Sequence, residues 1–462
     1  MVQTLKELVF NLSGPAVVAY FALKLVQHRR SYRHLPKPPH HILWGHLKVF
    51  GEVWTPFPNN LHIQAANTIL TQKYKLPGLG YLDLGPLGPC QLLITDPELT
   101  LIFNCYEESP QIIGAGNIAT SGGAAWKAAH NMLALAFSPS HVRGMVGPLA
   151  EEVMVFRSVL QKHAVSGEKF SLESELRNLV YDFAGAAVFQ TPLDTQKRES
   201  TLLRHFTDAC NANFTVQSSR NPIKLLSAIG KRRAAASLSK KRGLCITDLI
   251  IREHVDKVGK NGVPALDAHF MTMATTHVKT LLLAGYSTTT STLYFTYMLL
   301  SIYPDIVQRL REEHDTQPQK LNELEFTTNV IKEVLRFYPY PTRGQMTDPV
   351  QLAMHMHPAL FPNPTVFDPD RFSRDDSPPN AWRAFERGPR ACLGQTLAMN
   401  VMKITPLFTI QDFDFACADL EPTKQRVSWT NLDVIFGDRA FQEQVFEPKS
   451  RDGMPIIVRR FD

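Results

Sequence analysis

Ten residues, F-E-R-G-P-R-A-C-L-G from Phe385 to Gly394, constrain this chain more than any other stretch. They describe a tight loop that presents one sulfur and then enters a helix. Gly388 permits the turn, and Gly394 lets the following helix approach closely. Cys392 stands at the N-terminal end of that helix, where backbone N–H groups and the helix dipole favour a thiolate over a thiol. A thiolate held and shielded in this way can ligate a metal. Five specified residue types at this spacing arise by chance in a chain of this length with a probability on the order of 10⁻⁴. The plainer alternative is a buried structural cysteine in a glycine turn, and the order of the motifs upstream weighs against it.

The other cysteines, at 90, 105, 210, 245 and 417, are scattered without a C-x-x-C pair. They suggest neither a disulfide framework nor a zinc site and are read as small buried hydrophobes. A chain of 462 residues could hold two or three domains. No internal repeat, low-complexity stretch or second linker divides it, so one large, mainly helical body is expected. Hydrophobic residues at 44% and charged residues at 20% suit such a body. The net charge of +6 is dispersed except at Lys231 to Arg242. No aromatic-interleaved basic surface argues for nucleic acid.

At the N-terminus no residue from Leu8 to Leu23 is charged, and Leu25 and Val26 extend the run past Lys24, which can snorkel. That length is near the lower limit for spanning a bilayer, and Asn11, Gly14 and Pro15 weaken it. Arg29, Arg30, Arg33 and Lys37 follow at once, and the positive-inside rule puts their side in the cytosol. No small-residue cleavage site is evident. Residues 1–27 are therefore expected to be an uncleaved single-pass membrane anchor, the alternative being a helix lying on the membrane surface. The stretch L-P-K-P-P-H-H from Leu35 makes residues 28–45 a basic, proline-rich linker. The body then covers 46–462. Asn11 and Asn213 begin glycosylation sequons, but the first lies in the anchor and the second in the cytosolic body, so neither is expected to carry a glycan.

Alternating apolar stretches at Tyr81–Leu84 and Gln91–Thr95 predict two short strands. Three- and four-residue apolar spacing predicts helices from Trp126 to Val188, broken at Ser166 and Gly167 and resumed at Phe170. A long helix is expected over Leu266–Tyr303 and another over Thr327–Phe337, each ended by a proline. Residues 358–372 read as irregular coil. A last helix is expected from Cys392 to about Ile404, stopping before Pro406, with strands closing the chain.

Four further segments carry chemistry. K-E-V-L-R puts Glu333 and Arg336 three apart on one helix face, where they can form an ion pair. P-D-R-F supplies Arg371. L-A-G-Y-S-T-T, Leu283 to Thr289, lies midway along the long helix. W-K-A-A-H, Trp126 to His130, lies in the first helical region. Each is weak alone; hydroxyl residues in a helix usually bond back to their own carbonyls.

In this order and spacing the segments resemble the cytochrome P450 family over essentially the whole chain. Phe385 to Gly394 is similar to its haem-binding signature, Glu333 and Arg336 to its E-x-x-R helix, and Arg371 to the third member of that charged set. The resemblance implies the P450 fold, mainly α with small β-sheets, and haem b whose iron is held by Cys392. It implies that Phe385 packs against the sulfur and that Arg390, Trp126, His130 and Arg343 meet the haem propionates. Gly285 would leave room above the haem, and Thr288 would hydrogen-bond dioxygen and a proton-delivering water. Ser287 stands where the family carries an acid, and His130 where it carries an arginine.

The activity implied is a monooxygenase inserting one oxygen atom into an apolar small molecule, in the manner of microsomal enzymes of fungal secondary metabolism. Electrons would come from NADPH-cytochrome P450 reductase in the endoplasmic reticulum membrane, because no flavin or dinucleotide module is visible in this chain. The largest departure lies between Arg343 and His355, where the family usually carries a strand pair lining the pocket. These eleven intervening residues are expected to run extended across the gap. Two rival readings are a catalytically impaired haem-binding protein and a haem-thiolate isomerase or dehydratase. Thr288 counts against the isomerase.

Overall fold

The structure, a computed structural model, describes residues 2–85, 88–102, 116–119, 121–189, 193–200, 204, 208, 268–316, 321–340, 347–374, 376–444 and 448–461. Arg343, Asn213 and the basic run 231–242 lie outside the described residues. The helices that matter here are α1 (Val2–Ser31), α2 (Leu47–Trp54), α3 (Ile63–Lys73), α4 (Gly123–Ala134), α5 (Pro139–Ser166), α6 (Leu172–Phe189), α7 (Ala268–Leu300), α8 (Pro304–Thr316), α9 (Glu325–Phe337), α10 (Gln351–His355) and α11 (Gln395–Thr409).

Small sheets flank this helical mass. Strands β1 (Leu79–Asp83) and β2 (Cys90–Ile94) pair antiparallel, and β4 (Thr347–Pro349) adds parallel to β2. β3 (Phe170–Ser171) and β5 (Phe413–Cys417) both pair antiparallel with β8 (Pro455–Arg460). β6 (Glu443–Gln444) and β7 (Pro448–Lys449) form a short ribbon.

The core runs through α5, α6, the C-terminal half of α7, α9 and α11, where Phe156, Leu176, Phe295, Val334 and Met402 are buried. Gly167 ends α5 in the left-handed conformation, φ 65°, with its N–H on the His163 carbonyl. That is the break expected at Ser166–Gly167. The helix resumes at Leu172, because Phe170 and Ser171 are taken up by β8. α11 does not stop before Pro406 but runs through it to Thr409. Proline costs one helical hydrogen bond, and here the next turn is held from outside it. Thr409 bonds the Tyr297 hydroxyl at 2.6 Å, and Thr405 and Leu407 are buried.

Two observations bear on the expectations at the N-terminus. Among the described residues no helix is long and apolar enough to cross a membrane. Arg29, the first of the basic cluster, is buried: its guanidinium bonds the carboxylate of Asp83 and the carbonyls of Ile42, Leu43 and Gly85. Asp83 is ringed further by His28, His40 and Cys90, so its charge is met within the protein. Residues after α1 lie against β1. Tyr32 stacks on Tyr81 with ring centroids 4.2 Å apart, and the Tyr81 N–H reaches the Pro36 carbonyl at 2.7 Å.

The stretch before His355 also differs from the reading. Thr347–Pro349 is a strand, extended as expected, but Gln351–His355 is a helix and is not drawn out. Reach does not limit them, because His355 lies directly against Arg336, whose Nη1 donates to its carbonyl at 2.9 Å.

Candidate active site

A cavity of about 400 Å³ opens between α7 and the loop before α11. Ala284, Gly285 and Thr288 of α7 form one wall, and Phe385, Cys392 and Leu397 the opposite one. Apolar side chains of α5 and α6, among them Leu149, Val180 and Phe183, close the flank. Trp126, His130 and Arg390 gather at an edge. Sequence reasoning thus named residues on both facing walls.

The loop is built by backbone bonds. The Cys392 N–H donates to the Phe385 carbonyl at 2.9 Å, and the Ala391 N–H to Gly388 at 3.1 Å. Gly388 has φ +80°, a conformation that costs any residue with a Cβ about 1–2 kcal/mol. At Gly394 φ is −84°, and a Cβ there would make ordinary contact with the Phe137 ring at 3.7 Å and the Cys392 sulfur at 3.9 Å. Burial raises the Cys392 thiol's pKa overall, and bonds from the Gly394 and Gln395 amides offset only part of that rise. The outer face of the residue is exposed toward the cavity.

Opposite, a Cβ on Gly285 would meet nothing within 4 Å. The Thr288 hydroxyl donates to the Ala284 carbonyl at 2.7 Å. It therefore both lines the cavity and bonds back into its helix. Ser287 also bonds back, to Leu283 at 3.4 Å, and is not among the residues lining the cavity. Thr292 was not singled out from sequence but shares the wall; its i+4 spacing from Thr288 was the available signal.

At the edge, Arg390 donates to the carbonyls of Ser121 at 2.7 Å and Ile118 at 3.2 Å and stacks 4.4 Å from the Trp126 ring. The rings of Trp126 and His130 lie 4.9 Å apart. A sulfur donor on one wall, small residues facing it, apolar flanks and a cation at one edge fit a flat, largely apolar tetrapyrrole with acidic substituents.

Behind the loop, Arg336 donates twice to Glu333, both at 2.8 Å, and Arg371 donates to the same carboxylate at 3.1 Å. All three are buried. Two cations on one anion are tolerated because Arg336 and Arg371 also give N–H groups to the carbonyls of His355, Pro362 and Val366. His355, which the sequence offered only as a boundary, joins this cluster; its partners are backbone groups distant in the chain, so no spacing announces it.

The cytochrome P450 family model matches residues 102–344 and 344–437, interrupted within the stretch read as short. The cytochrome P450 monooxygenase polC of Polytolypa hystricis is 28% identical, over 94% of this chain and 91% of its own. The cytochrome P450 monooxygenase ptmG of Penicillium ochrochloron is 26% identical, over 96% and 93%. Among solved structures, the cytochrome P450DA heme domain superposes with a TM-score of 0.70 at 21% identity, covering 93% of this chain and 99% of that one, and shows the same fold. The chain belongs to the cytochrome P450 family, as a haem-dependent monooxygenase.

Proposed function

We propose that the enzyme inserts one atom of dioxygen into an apolar small molecule of fungal secondary metabolism, and that Cys392 would hold the haem iron. The observation that carries this is Cys392 lining the same apolar cavity as Gly285 and Thr288 of α7. When bound, haem supplies the activation of dioxygen and the transfer of one oxygen atom, with a thiolate ligand feeding it electron density. The amides of Gly394 and Gln395 favour that thiolate, and Gly285 keeps the opposite wall open. Thr288 holds a proton at Oγ1; turned away from Ala284, the hydroxyl donates into the cavity. Arg390, with Trp126 and His130, would meet the carboxylates at the cavity edge, and Arg343 is proposed for the same task. Phe385 and Gly388 shape the loop, while Glu333, Arg336 and Arg371 hold the body behind it.

Two electrons per turnover would come from NADPH-cytochrome P450 reductase. Residues 1–27 are proposed as the anchor in the endoplasmic reticulum membrane and 28–45 as the segment joining it to the cytosolic body of 46–462. The uncharged run Leu8–Leu23 and the exposure of Val18, Phe21 and Leu23 support this.

The test is the spectrum of reduced protein under carbon monoxide. A long-wavelength Soret band is expected, lost in Cys392→Ala and kept in Cys417→Ala; a band persisting without Cys392 overturns the assignment. A second reading, a haem-binding chain of poor activity, is favoured by the interruption of the family match at residue 344. NADPH consumption with product analysis, in the presence of reductase, separates the two.

A further inference from the structure

We propose that His355 is a positioning residue, tying the buried Glu333–Arg336 pair to the cysteine loop and so fixing where Cys392 holds its sulfur. The inference rests on the reading of Cys392 as the iron ligand and adds to it a residue outside every motif.

His355 closes α10 and is wholly buried. Its Nδ1 lies 3.2 Å from the Arg336 carbonyl, which can only accept, so Nδ1 carries the hydrogen. Its Nε2 lies 3.0 Å from the Arg383 backbone N–H, which can only donate, so Nε2 offers its lone pair. Both nitrogens are thus assigned, and one neutral tautomer satisfies both sides. Burial first, and then the charges of Arg336 and Arg383, push the imidazole's pKa down to about 3, so the ring stays neutral near neutral pH. Arg336 returns a bond from Nη1 to the His355 carbonyl at 2.9 Å, which makes the link double.

From Arg383 the path to the sulfur is short. The Glu386 N–H donates to the Arg383 carbonyl at 3.0 Å, and the Arg383 guanidinium grips Glu386 at 2.6 and 2.9 Å. Gln351, one helical turn before His355 on α10, donates to the other Glu386 oxygen at 2.5 Å. Phe385, between them, accepts the Cys392 N–H. Two side chains of one short helix therefore hold the entry of a loop that has no strand ladder of its own. A histidine serving only to fill space would have no reason to aim a lone pair at that backbone N–H.

Two variants separate the two ends of the ring. His355→Asn places an amide nitrogen where Nδ1 sits, keeping the bond to Arg336 and dropping the one from Arg383. His355→Gln reaches further and puts a carbonyl oxygen near Nε2, keeping the acceptor for Arg383. In the unsubstituted holoenzyme the Arg383 amide is expected to exchange with solvent hydrogen as slowly as the amides of α9. In His355→Asn it should exchange about ten- to a hundredfold faster, the loss of one buried bond, and in His355→Gln within about threefold of the original. Under carbon monoxide, His355→Asn should move most of the reduced protein from the long- to the short-wavelength Soret form, and His355→Gln should restore the long-wavelength form. Fast Arg383 exchange in the unsubstituted chain, or indistinguishable Asn and Gln variants, overturns the proposal. If His355→Asn does not fold, Arg383 protection in the unsubstituted chain and the band of His355→Gln decide. Absence of the long-wavelength band from the unsubstituted chain would overturn the reading of Cys392, and the amide comparison would still judge His355.

Discussion

Thr288 has two competing partners, and its effect follows from the competition. Its hydroxyl spends its proton on the Ala284 carbonyl at 2.7 Å, yet it borders the cavity opposite Cys392. Removing it takes one local bond from a helix that keeps all its others, so Thr288→Ala should change stability by only about 0.5 kcal/mol and leave haem content intact. Peroxide released per NADPH consumed should rise several-fold; an unchanged ratio would show that Thr288 handles no proton. Local chemistry of this kind was legible in the sequence, because a glycine, a threonine and a cysteine name their tasks in a few residues. Ser287, one position away, could not be judged so, since only the rotation of α7 decides which hydroxyl meets the cavity.

Among the elements, α9 and α10 form the joint behind the haem loop. Glu333 sits between two guanidinium groups and accepts the Asp368 N–H as well, all out of contact with water. Glu333→Ala would leave Arg336 and Arg371 buried without an anion, a loss of about 3–5 kcal/mol that a urea unfolding midpoint would register. The pair itself was readable from three-residue spacing on a helix. Its surroundings were not: α10 was expected as extended chain, because reach was reckoned along the backbone while Arg336 and His355 meet directly. Proline rules misjudged α11 for a similar reason, as Tyr297 and a buried last turn outweigh one missing bond.

For the whole molecule, several imidazoles are buried neutral. His46 and His314 have pKa values pushed down to about 4 by burial, from an ordinary 6.5. Above about pH 6.5 they are neutral in both folded and unfolded chains and contribute nothing to the balance. Below it the unfolded chain takes protons that the folded one refuses, so stability falls as pH drops from 6.5 toward 4. Thermal melts should show a decline of roughly 5 °C across that window and little change above it. A melting temperature flat from pH 7 to 4.5 would contradict it.

The burial of Arg29 against Asp83 also decides where a shortened enzyme can begin. A shortened version would be made by cutting away the N-terminal run, and the basic residues after it look like a convenient starting point. Here the cut falls on one side or the other of a buried counter-ion. A chain starting at Lys24 keeps Arg29 on Asp83, whereas one starting at Ser31 loses His28 with Arg29 and leaves that carboxylate enclosed with only the side chains of His40 and Cys90 for company. The shorter version should be less stable by about 3–5 kcal/mol, although it has lost no residue of the cavity. Matched urea titrations of the two would show it, and Asp83→Asn in the shorter chain should recover part of the loss.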